Sequence, residues 1–220
     1  MDELLRELVA EAERDAGCFG LVLIGSHARG TPDAESDVDI LYVLRDEKRE
    51  RERRGKLELI PVTLADFREP PEWFEPALAH ARVVLDKAGE LAPVVEQARR
   101  VSREEAEEAY DGYLNDFYRS LKAWRRGNEL AGCVEGVESI KYLVQFLYAL
   151  DGRRAPYSNA WAGTLGELEP LIVQVARTAD PRRQQELQAR VAELADAHGF
   201  RGVRDTWEGD IEHAMEFRFE

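Results

Sequence analysis

An almost wholly apolar run, Phe19 to Ile24, leads directly into Gly25-Ser26-His27-Ala28-Arg29-Gly30 and then Ser36-Asp37-Val38-Asp39-Ile40. No other stretch restricts the possible folds as much. The apolar run suits a buried central strand, and a glycine-serine turn at its end lets the backbone approach a bound group closely. Asp37 to Leu44 alternates, with Asp37, Asp39 and Leu41 on one face and Val38, Ile40 and Tyr42 on the other. Leu57 to Val62 is again strand-like and carries Glu58, and Arg82 to Asp86 reads as a further strand closed by Gly89.

Helical periodicity frames these strands. Leu4, Leu5, Leu8, Val9 and Ala12 recur at helical spacing, which predicts an amphipathic helix over residues 2–16, ended by Gly17. From about residue 92 the pattern stays helical, over 91–99, 102–126, 128–151, 164–178, 181–198 and, more weakly, 206–216. Gly127-Asn128, Asp151-Gly152 and Asp180-Pro181 punctuate it. The expected organisation is a strand-bearing domain over 1–95 and a helical bundle over 96–220. Arg45 to Lys56 is almost entirely charged with mixed signs. It reads as a solvated loop or exposed helix, with a cationic lid over phosphates as the sharper alternative.

Charge narrows the function classes. The net charge is −14, and affinity for nucleic acid comes largely from Lys and Arg neutralising phosphates, so nucleic acid is disfavoured as the main partner. A nucleotide needs only a few local cations. No apolar run approaches the roughly 20 residues of a membrane span, and Met1-Asp2-Glu3 is unlike a secretory signal. Cys18 and Cys133 lack metal-ligand spacing and read as small hydrophobes. A cytoplasmic enzyme is the expectation.

The acids carry the chemistry. Phosphoryl and nucleotidyl transfer require an in-line geometry and neutralised phosphate charge, which two divalent ions supply well. Such hard cations take oxygen ligands. Aspartates at i and i+2 of a strand point the same way, so Asp37 and Asp39 can share metals, and Glu58 on a neighbouring strand would complete the set. Gly25 admits phosphates to the backbone, Ser26 adds a hydroxyl and an N–H, and an inward Arg29 can meet a phosphate oxygen. An Asp-x-Asp pair alone is common and a Gly-Ser turn alone is weak. Their order and placement give the combination its force.

Those two segments, with the Ala-Arg-Gly element and the serine before the first aspartate, resemble the nucleotidyltransferase superfamily that includes DNA polymerase beta and kanamycin nucleotidyltransferase. The motif covers residues 20–60. The resemblance implies an α+β chain: an N-terminal domain with a small mixed sheet flanked by helices, followed by a C-terminal α-helical bundle. It implies metal binding by Asp37, Asp39 and Glu58, with two Mg²⁺ ions, and triphosphate contacts by Gly25, Ser26, Ser36 and Arg29. ATP or another nucleoside triphosphate would be the co-substrate, and AMP the group moved to a hydroxyl of a small-molecule acceptor. An aminoglycoside- or lincosamide-type antibiotic is one such acceptor, and an acidic cleft would attract a polycation.

In kanamycin-type relatives the helical domain supplies a general base. On helix 128–151, Val134, Val137, Ile140 and Leu147 are read as the apolar stripe, leaving Glu135, Glu138, Lys141 and Tyr142 off it. Glu138 is then the candidate base or substrate clamp and Lys141 a triphosphate contact, against a plain solvated face with an i, i+3 Glu138–Lys141 pair. Tyr157 and Trp161 are further candidates for substrate contact. The competing function is a protein-modifying or antitoxin-type nucleotidyltransferase acting on a partner protein. A homodimer stays open, since two subunits share a cleft in some related enzymes.

Overall fold

The computed structural model describes residues 2–46, 49–207 and 209–219. Two compact units emerge: Met1–Arg100 with Pro156–Ala160, and Val101–Ala155 with Trp161–Glu220.

The first unit is built on a five-stranded mixed sheet in the order β3-β4-β2-β1-β5. Its strands are β1 (Cys18–Ile24), β2 (Val38–Leu44), β3 (Glu52–Arg54), β4 (Leu57–Thr63) and β5 (Arg82–Asp86). β1 is buried at every position, as its unbroken apolar run requires, and pairs antiparallel with β2 and β5. β2 and β4 run parallel, with Asp39 opposite Glu58.

The alternation read in residues 37–44 divides the core between the two sheet faces. Val38, Ile40, Tyr42 and Leu44 join Leu8 and Ala12 of α1 (Asp2–Arg14) and Leu57 and Leu59 of β4. Leu41 and Val43 face the other way, among Phe67 of α3 (Leu64–Arg68), Leu78 of α4 (Glu75–Ala79), and Leu91 and Val95 of α5 (Leu91–Arg99). The sheet is therefore covered on both faces by helices. Asp86 ends β5 and accepts hydrogen bonds from the amides of Glu90, Leu91 and Ala92, which seats the start of α5.

The charged stretch 45–56 holds one element that its composition conceals. Glu52–Arg54 forms the edge strand β3, paired antiparallel with β4 from Leu57 to Leu59. Pro61, two residues further on, has no N–H with which to extend that pairing. Glu47 and Lys48 of this stretch lie outside the described residues.

The second unit contains α6 (Arg103–Arg125), α7 (Glu129–Leu150), α8 (Glu169–Thr178), α9 (Pro181–Ala197) and α10 (Asp210–Met215). A capping box between Ser102 and Glu105 starts α6, and the Asn128 side chain caps α7. Tyr110, Tyr113, Phe117 and Phe146 dominate the core. The inner face of α7 differs from the expected stripe: Gly132, Gly136, Ser139, Ile140, Leu143, Val144 and Phe146 are buried, whereas Val134 and Val137 are 46% and 45% exposed. Small residues carry the close approach to α6, where a Cβ at Gly132 would lie 2.6 Å from the Trp124 ring. A stripe chosen by apolar type alone misses the glycines and the serine of that face. Among the described residues, no helix is long and apolar enough to cross a membrane.

Candidate active site

The first unit assembles its acids by strand register. Asp39 of β2 is paired with Glu58 of β4, and Asp37 immediately precedes β2, two residues from Asp39. Burial raises the Asp39 pKa above the ordinary carboxylate range, and the negative charge of Glu58, a side-chain hydrogen bond with Glu58 and the charge of Asp37 push it the same way. Two guanidinium groups offset the crowding. Arg53 Nη2 lies 2.8 Å from Asp37 Oδ2, and Arg51 Nη1 lies 3.1 Å from Glu58 Oε1.

The turn that follows β1 is a single helical turn, α2 (Gly25–Arg29), closed by Gly30 with a positive φ of 77°. Gly25 has φ 73°, and a Cβ there would stand 2.7 Å from Asp39 Oδ2. Glycine is required twice over, by conformation and by the carboxylate pressed against it. Arg29 Nε is buried without a hydrogen-bond partner. Buried polar atoms are almost always paired, so an unpaired guanidinium nitrogen in this turn suits an anionic ligand.

Ser36 serves the loop between α2 and β2. Its hydroxyl donates to Asp33 Oδ1 at 2.8 Å and accepts from the Asp33 amide at 3.0 Å. Tyr157 donates its hydroxyl to the Trp73 carbonyl at 2.6 Å, so that group is already engaged within the first unit.

Residues 5–91 match the family model described as nucleotidyltransferase domain. They are a nucleotidyltransferase domain. The chain is accordingly a transferase of nucleotidyl groups. A nucleotidyltransferase-like protein from Exiguobacterium sibiricum, known from its crystal structure, is similar at 12% identity and a TM-score of 0.47, over 98% of this chain and 74% of its own. No curated protein matches the chain.

Nucleotidyltransferases typically use a nucleoside triphosphate and a divalent metal, and the residues present fit such an ion. Three carboxylates offer hard oxygen donors, and the repulsion that adds to burial in elevating Asp39 is the condition a cation relieves. Arg51 and Arg53 meanwhile hold Glu58 and Asp37.

Glu138 and Lys141 belong to α7 of the second unit. Lys141 is exposed, its ammonium 6.0 Å from the centre of the Tyr142 ring. Glu138 joins Asp116 of α6 and Glu135 of α7 in the one group of three acids, among the described residues, whose ligand atoms lie within 4.8 Å of one another. Asp116 is only 7% exposed and accepts a hydrogen bond from Asn115. Burial, and then the charge of Glu135, raise its pKa. Arg119 pairs with Glu135 at 2.6 Å.

Asp116 escaped the sequence reading because its role depends on how α6 and α7 pack. Arg51 and Arg53 are not singled out by the sequence, which offers their charged stretch only as a whole, as a solvated segment or a cationic lid. A two-residue spacing of arginines opposite a strand acid was the available signal. The second unit also holds an open cavity of about 760 Å³, lined among others by Asp151, Arg153, Glu167, Arg190 and His198. Its mixed charge favours neither anion nor polycation.

Proposed function

We propose that the chain transfers AMP from ATP to a hydroxyl of a small-molecule acceptor, an aminoglycoside- or lincosamide-type antibiotic being one example. The observation that carries this reading is the register of Asp39 with Glu58, with the Gly25 turn packed on the Asp39 carboxylate. That register supports a site in which a polyphosphate at the turn would meet the acids of the sheet.

In this reading Asp37, Asp39 and Glu58 hold two Mg²⁺ ions, which would activate the attacking hydroxyl and neutralise the leaving pyrophosphate. Gly25 and Ser26 offer backbone N–H groups to the phosphates, and Arg29 supplies its unpaired Nε. Ser36 reaches the triphosphate by exchanging its bond to Asp33. The helical unit is assigned the acceptor, with Glu138 as proton acceptor or clamp and Lys141 as a further phosphate cation. The acidity around Glu138 supports a cationic acceptor, since Asp116 and Glu135 add their charges to its own.

Labelled ATP with Mg²⁺ and an acceptor panel tests the assignment. Label appears on one acceptor class, and Glu138→Gln lowers that transfer about 100-fold, the lower end of general-base effects, with ATP affinity unchanged. No label transfer from any nucleotide to any acceptor would overturn the proposal. Label recovered on a protein would move the assignment to a protein-modifying enzyme.

A further inference from the structure

One row of residues crosses four strands of the sheet. Arg53 of β3 is paired with Glu58 of β4, Glu58 with Asp39 of β2, and Asp39 with Ile24 of β1, the residue before Gly25. Cross-strand partners share a face of the sheet. The acids therefore lie between a cationic edge strand on one side and the glycine turn on the other.

The arginines do not pair straight across. Arg53 faces Glu58 in register but places its Nη2 on Asp37, while Arg51 takes Glu58. Both guanidinium groups thus occupy carboxylate oxygens that a divalent ion would need. Arg54, on the opposite face, is spent on Glu11 of α1 and on Glu52.

We propose that Arg51 and Arg53 are exchange ligands of the nucleotide site: they hold Glu58 and Asp37 in the free chain, and pass to the polyphosphate when divalent cations take those carboxylates. This rests on the metal and nucleotide reading of the same acids. The two arginine side chains are 62% and 61% exposed, so they can turn without unpacking anything. Exposed ion pairs are weak and cheaply broken, whereas phosphate offers a guanidinium a two-pronged acceptor. Cations at the acids would also repel the guanidinium groups from where they now stand. Each arginine then opposes metal binding in the absence of nucleotide and favours nucleotide binding in the presence of metal.

Those opposite signs are measurable without turnover. The Arg51→Gln/Arg53→Gln double variant is titrated with Mn²⁺ alone by electron paramagnetic resonance, then with α,β-methylene ATP at saturating Mn²⁺ by calorimetry. Mn²⁺ binds about five- to tenfold tighter than to the wild type, and the nucleotide analogue about tenfold weaker, as expected for loss of charge-assisted contacts. Arg54→Gln leaves both isotherms unchanged, and Arg53→Lys, which keeps the charge without the fork, falls between. In a wild type that binds both probes, shifts of the same sign, or none, in the folded variants overturn the exchange. A wild type that binds neither probe removes the metal and nucleotide reading first, and the exchange with it.

Discussion

Asp37, Asp39 and Glu58 stand on or beside two paired strands, whereas Asp116, Glu135 and Glu138 stand on two packed helices. The helical acids converge more tightly, to within 4.8 Å, and they include the more deeply buried carboxylate, Asp116. Judged by convergence alone, the helices would hold the metal centre. The sheet acids instead have what a polyphosphate requires around them. A glycine at positive φ leaves no room for a Cβ beside Asp39, a buried guanidinium nitrogen lacks a partner, and two exposed arginines lie on or just before the flanking strand. Gathering carboxylates is common to both places. The glycine at positive φ against a carboxylate, and the buried guanidinium nitrogen without a partner, are particular to the sheet.

The largest expected effect sets the two clusters against each other. Asp39→Asn removes a proposed metal ligand, and its cost in nucleotidyl transfer should exceed the roughly 100-fold typical of losing a group that merely orients a ligand. Asp116→Asn should cost far less, because Asp116, on α6, is neither a proposed metal ligand nor a proposed phosphate contact. Steady-state rates with a common acceptor decide between them. An equal loss in both variants would break the distinction between a phosphate site and an acidic pocket.

A smaller effect sharpens the role of the turn. Gly25→Ala places a non-glycine residue at φ 73°, which costs on the order of 1–3 kcal/mol, and pushes a methyl group into Asp39 Oδ2. The melting temperature should fall by about 2–8 °C, with transfer lost to a greater degree than the stability change explains. Gly30→Ala is the control. Its φ is also positive, but nothing lies within 4 Å of a Cβ there. It should share the thermal penalty and keep more of the activity.

The same contrast explains what the sequence disclosed. A strand places side chains with a period of two, so Asp37 and Asp39 could be assigned a common face from spacing alone, and Val38, Ile40 and Tyr42 the other. The parallel neighbour of β2 then brings Glu58 level with Asp39. Helix contacts are harder to read. The face of α7 that meets α6 is partly glycine and serine, and two residues of the expected apolar stripe, Val134 and Val137, are exposed. Asp116 gains its significance from that packing, which no local pattern encodes. The edge strand β3 was hidden for another reason: its three residues are all charged, and its pairing rests on β4 rather than on its own propensity.

The smallest effect concerns stability and its dependence on pH. Asp39 is elevated by burial and by Glu58, whereas Asp15, between α1 and β1, is held well below the usual carboxylate range by Arg49, the Gly17 amide and the Tyr42 hydroxyl. Their contributions to folding run in opposite directions. Asp15 stabilises the fold above the ordinary aspartate range, and that stabilisation is lost as pH falls. Asp39 in the metal-free chain binds its proton more tightly when folded, so its penalty is absent below the ordinary range. The penalty grows as pH rises through the elevated value. Asp39→Asn should therefore melt about 1–3 °C above the wild type near neutral pH without metal, the shift that about half to one kcal/mol gives a chain of this size. The gap should close as pH falls towards about 4. Saturating Mg²⁺ should reverse the order, because only the wild type then gains the stabilisation of a ligand bound to the folded state. Thermal melts of both chains across pH, with and without Mg²⁺, would read this. A variant no more stable than the wild type at neutral pH would mean that Arg51 and Arg53 already neutralise the acids in full, leaving a cation nothing to relieve.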